Sequence, residues 1–224
     1  YCGFQAPGTY IREILPKIDD ERIRDYIFDR LEKRPRRTIK MTKKEDALYL
    51  SARERFNSLS PIVRKLCRER LPLFDLTDEQ IGNILGEQRE EFGITSSLAS
   101  IYDNPYCICE EYVGSDVEDR IGFHRIDNGM ISFSELGSRT EGISLDDPRR
   151  LRAIMVKQLE SSAREGHTFL DRQDLYTIIH DQHQKSGRKG RFLLDEATWR
   201  QHRLLFTSKM VLDSVSGLDA VFLE

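Results

Sequence analysis

The chain has 224 residues, of which 38% are hydrophobic and 33% are charged. This apolar content is too high for a disordered protein and predicts a globular one with a modest core and a highly charged surface. No apolar run approaches the roughly 20 residues of a membrane helix, which argues against a membrane partner. The formal net charge of −3 argues against general nucleic-acid binding, which requires clustered lysine and arginine. The four cysteines are too few and too irregular for a disulfide framework, so we expect free thiols and a cytoplasmic protein.

In the first half of the chain, short helices alternate with tight turns. Ser60 and Pro61 have the pattern of a helix N-cap followed by a first-turn proline. Thr77 and Gln80 have the spacing of a capping box, and a further short helix ends near Asn104. Helices this short and closely spaced predict helical hairpins. Earlier helices are predicted over residues 19–32 and 45–56.

The glycine-rich stretch 112–147 predicts a loop, with a short strand near Ile131 and Phe133. The chain then divides into an N-terminal helical region of unknown type at 1–58, a helix-hairpin-helix-like region at 59–142 and a third domain at 143–224.

The third domain has the element order of a winged helix-turn-helix. Pro148 opens a helix that Gly166 ends, "HTFL" is extended, and Asp171 caps a second helix. "RFLL" is extended again, and Asp195 starts a third helix that runs to about Phe206, with Trp199 and Phe206 in the core. Two alternating runs around residues 214–217 predict a β-hairpin. We therefore predict a mainly α fold with a winged-helix-like domain and a small β-hairpin.

No residue pattern in the chain predicts a catalytic site. The glycine-rich phosphate loop of nucleotide hydrolases is missing, because "SGRKGR" lacks the required spacing. Cys107 and Cys109 have no second cysteine pair, and His180 and His183 are not linked to them, so we predict no metal site. An acidic group could hold a nuclease metal but is better explained as a solvated loop: Glu110, Glu111, Asp116, Glu118 and Asp119.

Basic residues in the third domain are the candidates for DNA contact. One set lies in a glycine-containing loop, and the other lies on the third helix, which in a winged helix can enter a major groove. The predicted DNA-binding residues are Lys185, Arg188, Lys189 and Arg191 in the loop, and Arg200, Gln201 and Arg203 on the helix. The acid-free stretch 33–44 is a weaker candidate.

Several segments resemble the region that precedes the motor domains in RecD-type DNA helicases. "IYDNPYCICEEYVG" resembles that family's asparagine-proline-tyrosine segment in its helix-hairpin-helix region. "RRLRAIMVKQLESSAREGHTFLDRQDLYTII" resembles its helix with a glycine-histidine-threonine end, here Gly166, His167 and Thr168. "DAVFLE" resembles the strand before the first motor domain. The resemblance covers roughly residues 60–224.

The resemblance implies a parent helicase that unwinds DNA in the 5′-to-3′ direction with ATP and magnesium, with the motor domains C-terminal to Glu224. This chain would hold no cofactor and would place single-stranded or forked DNA, or a protein partner, beside the motor. The family's glycine-rich hairpins bind phosphate, but "YVGSDVEDRIGF" carries acids between Gly114 and Gly122, a departure that argues against phosphate binding there. The alternative function is a protein-interaction adaptor in a larger DNA-processing protein.

Overall fold

A computed structural model describes Phe28, Glu32 and residues 43–116, 118–131, 143–185, 194–215 and 218–223. The described chain is mainly helical and has one small antiparallel sheet of three strands. Phe28 and Glu32 are helical and belong to the helix predicted at 19–32. The rest of that helix, most of the basic stretch 33–44, Phe133 and "SGRKGRFL" lie outside the described residues.

The described chain forms two compact units. The N-terminal unit holds the residues up to Pro105 together with Val113–Asp119, and the C-terminal unit holds Tyr106–Tyr112 and the residues from Arg120 onward. The predicted division after residues 58 and 142 stays a prediction.

The N-terminal unit contains helices α1 (Lys43–Ser58), α2 (Pro61–Glu69), α3 (Asp78–Leu85) and α4 (Leu98–Asp103), with 3₁₀ turns at Leu71–Leu73 and Arg89–Phe92. The predicted caps are confirmed: the Ser60 hydroxyl accepts from the Val63 N–H, and Thr77 and Gln80 form a reciprocal capping box. The helices surround a core of fully buried aliphatic side chains, which are Leu66, Ile84, Ile94 and Ile101.

The C-terminal unit is built around one long helix. Its helices are α5 (Tyr106–Glu111), α6 (Phe123–Met130), α7 (Pro148–Arg164), α8 (Arg172–Lys185), α9 (Glu196–Gln201) and α10 (Arg203–Phe206). Helix α7 packs against α5, α6, α8, α10 and the sheet. Asp147 caps α7, and Gly166 follows it with a φ of 97°, a left-handed conformation that favours glycine.

The sheet joins a two-residue strand to the predicted β-hairpin. Strands β1 (Leu170–Asp171), β2 (Met210–Val215) and β3 (Leu218–Leu223) lie in the order β1–β3–β2, and both pairings are antiparallel. Val221 pairs with Leu170 on one side and Leu212 on the other, which places β3 in the centre.

Two predictions about secondary structure are wrong. Residues 112–147 are not all loop, because Phe123, Ile126 and Met130 bury one face of α6. Ile131 forms only an isolated bridge with Ile143. The third helix of the C-terminal region is not continuous, because the backbone of His202, with φ −112° and ψ 20°, separates α9 from α10.

Candidate nucleic-acid interface

Two buried aromatic side chains fix the orientation of α9 and α10. Trp199 is 2% exposed and Phe206 is fully buried, and their ring centroids lie 5.3 Å apart. The prediction that both belong to the core is confirmed. With these two rings anchored, Arg200, Gln201, Arg203 and Leu204 face solvent, whereas His202 and Leu205 between them are half-buried.

The outward side of these helices carries Arg200, Gln201, Arg203 and Leu204, which we call the cationic face. All four are exposed; the Arg200 side chain is 78% exposed and Leu204 is 89% exposed. Residues 197–212 contain Arg200, Arg203 and Lys209 and no acidic residue. The nearest acid of these helices is Glu196, the first residue of α9, which pairs with Arg200.

Arg172, at the start of α8, ties the cationic face to the rest of the unit. Its guanidinium lies 2.8 Å from a Glu196 carboxylate oxygen on α9 and 2.5 Å from an Asp219 carboxylate oxygen on β3. The Arg172 side chain is only 14% exposed, so salt screens these two pairs less than pairs at the open surface. The Arg172 side chain thus connects α8 with α9 and with strand β3 of the hairpin.

Glu196 also pairs with Arg200, at 2.9 Å and one helical turn away. This contact partly neutralises one of the two arginines of the cationic face. Arg203 is exposed and has no ion-pair partner among the described residues.

A buried polar cluster holds α5, α6 and α7 together. Arg150 and Asp127 form an ion pair at 2.8 Å with side chains 4% and 0% exposed, and the Tyr106 hydroxyl donates to Asp127 over 2.7 Å. Arg150 also donates to the Leu145 carbonyl oxygen. Burial, followed by the negative charge of Asp127, raises the pKa of Tyr106, so this phenol remains a hydrogen-bond donor.

Two of the acids predicted to lie in a solvated loop are buried instead. The Glu110 side chain is 1% exposed and pairs with Arg152, and Glu111 is 4% exposed and pairs with Lys209. Burial raises the pKa of Glu110, and the Arg152 guanidinium opposes this rise. The solvated-loop prediction is therefore wrong for these two residues, whose role is to join α5 to α7 and to the segment before β2.

Two of the remaining acids, Asp116 and Asp119, bind the backbone of their own segment. The Asp116 carboxylate accepts from the N–H groups of Glu118 and Asp119, and the Asp119 carboxylate accepts from the Ser115 N–H. These N–H groups are the donors that a phosphate would require in a helix-hairpin-helix loop. Carboxylates occupy these donors in the structure, and the departure of this segment from a phosphate-binding hairpin stays a prediction from its sequence.

The structure tests the location of the predicted DNA-binding residues only in part. Lys185 is exposed at the end of α8, whereas Arg188, Lys189 and Arg191 lie outside the described residues. Arg200, Gln201 and Arg203 lie together on the cationic face. Nothing in the sequence indicated that Leu204 would face solvent, so sequence reasoning missed this residue. It also missed the ion pairs of Arg172, because they join residues up to 47 positions apart.

The cysteines and histidines of the described chain do not form a metal centre. No group of three or more histidine, cysteine, aspartate or glutamate side chains is arranged around a common point in the described residues. Cys107 is buried and accepts a hydrogen bond from Arg152 at 3.7 Å. His180 instead contacts Gln184 one turn along α8.

A groove of about 450 Å³ lies at the C-terminal end of α7. Its walls include the glycine-histidine-threonine segment that carries the helicase resemblance. The remaining walls are mostly apolar and come from α7, the residue before β1, and β3, chiefly Leu159, Ala163, Phe169, Phe222 and Leu223.

Comparison with known proteins finds no relative of this chain. No protein-family model, curated protein or solved structure matches the chain. Within the part of the chain that the structure describes, every helix is too short or too polar to cross a bilayer.

Proposed function

We propose that this chain is a DNA-contacting accessory segment of an ATP-dependent helicase of the RecD type, and that its C-terminal unit acts as a winged-helix module. The observation that carries the proposal is the exposed cationic face on the helices that precede a β-hairpin, where Glu196 offsets Arg200 but not Arg203. The ATP, magnesium and motor domains of the parent protein belong to the same proposal and rest on the sequence resemblance alone.

The topology supports the winged-helix part. The order from α7 is helix, strand, helix, two short helices and hairpin, and β1 pairs with the second strand of the hairpin. In a winged helix the last helix before the hairpin carries the residues that contact DNA. In this chain that position is occupied by α9 and α10, with Arg200, Gln201 and Arg203 outward.

The modest charge of the chain predicts a weak, salt-dependent contact. Two arginines and one glutamine are a small set, and Glu196 already offsets one arginine. Each neutralised phosphate contributes about 0.9 to the slope of log affinity against log salt for duplex DNA and about 0.7 for single strands. The two arginines should therefore account for a slope change of about 1.4 to 1.8.

The test is fluorescence anisotropy with forked, single-stranded and duplex DNA at 50 and 200 mM salt. The double variant Arg200→Gln, Arg203→Gln should weaken binding to all three DNAs and reduce the salt slope by that amount. The matched control is Arg164→Gln, which removes an equally exposed arginine from α7 and should leave the slope unchanged. Absence of binding by the wild-type chain at 50 mM salt, or equal slopes for the double variant and the wild type, would refute the proposal.

A second candidate function is a protein-interaction adaptor. The apolar groove at the end of α7 favours it, because apolar grooves commonly receive side chains of a partner. A Phe222→Asp variant that abolishes capture of a partner while DNA binding stays intact would support this function over the first.

A further inference from the structure

We propose that Glu196 is an exchangeable counter-ion of the cationic face: it pairs with Arg200 in the DNA-free protein and moves onto the Tyr176 hydroxyl when a phosphate takes Arg200. The proposal concerns the regulation of this face and rests on the DNA-contact function proposed above. It makes the affinity of the face depend on a buried tyrosine of α8 that has no contact with the ligand.

The Glu196 carboxylate is shared between two arginines that differ in exposure. Its Oε1 atom accepts from Arg200 Nε at 2.9 Å, and its Oε2 atom lies 2.8 Å from an Arg172 nitrogen. The Arg200 side chain is 78% exposed, whereas the Arg172 side chain is 14% exposed. Solvent and ligands compete more readily for an exposed pair than for a buried one. A phosphate that binds Arg200 therefore displaces the Oε1 contact and leaves the Arg172 contact in place.

Tyr176 offers the released oxygen a new partner. It follows Arg172 by four residues, so both side chains lie on the same side of α8. The Tyr176 side chain is buried, and its hydroxyl has no hydrogen-bond partner among the described residues. Because an unpaired buried hydroxyl is costly and uncommon, its presence beside a carboxylate points to a second arrangement in which the two are bonded.

The electrostatics of Tyr176 show that Glu196 is within range of its hydroxyl. Burial raises the pKa of Tyr176, the positive charge of Arg172 opposes this rise, and the negative charge of Glu196 adds to it. The phenol therefore keeps its proton and can donate it. A hydrogen bond to a carboxylate is stronger than one between neutral groups, so the exchange gives Tyr176 a bond that it lacks in the DNA-free protein.

The exchange acts on one arginine of the cationic face. Arg200 must lose its contact with Glu196 before a phosphate can replace that contact, and the new bond from Tyr176 offsets the loss. Arg203 has no ion-pair partner among the described residues and requires no exchange. Arg203 is therefore the matched control for Arg200.

The first test requires no DNA, because removing Arg200 should also release Glu196 onto Tyr176. In the wild-type background, Tyr176→Phe should raise the folding equilibrium constant about fivefold in urea unfolding, since it removes an unpaired buried hydroxyl. In an Arg200→Met background, the same substitution should lower this constant about fivefold, since the hydroxyl is then bonded to Glu196. In an Arg203→Met background, Tyr176→Phe should again be stabilising.

The second test measures the affinity of the 224-residue chain for duplex DNA by fluorescence anisotropy at 50 mM salt. Tyr176→Phe should weaken binding about threefold, within the roughly fivefold that an exposed ion pair contributes, because Glu196 then competes with phosphate for Arg200. In a Glu196→Gln background, Tyr176→Phe should change the affinity by less than about twofold, because no charge has to move. A merely structural role of Tyr176 predicts the same change in both backgrounds.

Three results would overturn the proposal. Stabilisation by Tyr176→Phe in the Arg200→Met background would show that Glu196 does not move to the hydroxyl. Destabilisation in the wild-type background would show that the hydroxyl is already bonded, for instance to a buried water. A sign reversal in stability without any change in DNA affinity would show that the exchange does not regulate the face.

Failure of the proposal differs from failure of the proposed function. If Arg203→Gln weakens DNA binding but Tyr176→Phe is stabilising in every background, the function stands and the exchange fails. If the sign reverses in the Arg200→Met background but the wild type binds no DNA, the exchange occurs and the DNA-contact function fails.

Discussion

Replacing Asp127 with alanine should destabilise the C-terminal unit by about 3–5 kcal/mol, the cost of removing one partner of a buried ion pair. The Asp127 carboxylate accepts from Arg150 Nε at 2.8 Å, from a terminal nitrogen of Arg150 at 3.2 Å and from the Tyr106 hydroxyl at 2.7 Å. In the variant, the guanidinium would keep its bond to the Leu145 carbonyl but lose its counter-charge while still 4% exposed. The buried charge of Arg150, left without its carboxylate partner, accounts for most of the expected loss of stability.

Urea unfolding followed by tryptophan fluorescence measures this loss of stability in the C-terminal unit. Trp199 is the single tryptophan of the chain and is buried in the C-terminal unit, so its emission reports the unfolding of that unit. Arg164→Met is the control, because its side chain is 66% exposed and its ion pair should contribute less than about 1 kcal/mol.

A double variant separates the stranded charge from the lost hydrogen bonds. Asp127→Leu combined with Arg150→Met removes both charges and keeps similar volume, and should recover most of the stability lost in Asp127→Ala. A loss below about 1 kcal/mol for Asp127→Ala would refute the reasoning, since buried pairs of this geometry cost more to break. Equal losses for the double variant and Asp127→Ala would show that packing, not charge, determines the stability of this cluster.

Three further predictions concern pH, stability and binding. Burial alone would raise the pKa of Asp147, but hydrogen bonds from Arg149 outweigh the effect of burial, and the pKa is lowered. The ionised carboxylate therefore stabilises α7 at pH values above the ordinary pKa of an aspartate. This stabilisation is lost as the pH falls through the lowered pKa. Asp147→Asn, measured by urea unfolding, should cost about 1 kcal/mol or less at neutral pH and nothing once acid has protonated the carboxyl. The buried Tyr176 hydroxyl has no hydrogen-bond partner among the described residues, so Tyr176→Phe should raise stability by about 1 kcal/mol. Glu196→Gln removes the acid that partly neutralises the cationic face, and should tighten DNA binding about threefold at low salt in anisotropy titrations.

Each of these has a result that would contradict it. A stability difference between Asp147→Asn and wild type that is the same at every pH would rule out the titration of this carboxyl. Tyr106→Phe is the control for Tyr176→Phe and should lower stability, because the Tyr106 hydroxyl bonds to Asp127. Weaker binding by Glu196→Gln would show that this acid matters more for holding Arg172 than for masking Arg200.

Local structure was predictable from the sequence wherever the signal lay within a few residues. The caps at Ser60 and Thr77, the ends of α7 and the β-hairpin were all predicted correctly, since each depends on a side chain bonding its own backbone or on a short alternating pattern. The proximity of Arg200, Gln201 and Arg203 was also visible, because they lie within four positions of one another in the sequence. Helix α6 was missed although Phe123, Ile126 and Met130 have helical spacing, since Gly122 and Gly129 were interpreted as loop signals.

The tertiary structure alone decided which charged and apolar side chains face water. Glu110 and Glu111 read as surface acids but are buried because Arg152 and Lys209, distant in sequence, provide their counter-charges. Leu204 is exposed because the burial of Trp199 and Phe206 fixes the orientation of two helices that His202 separates. Burial depends on which distant residues pack together, and a pattern of near neighbours does not contain that information.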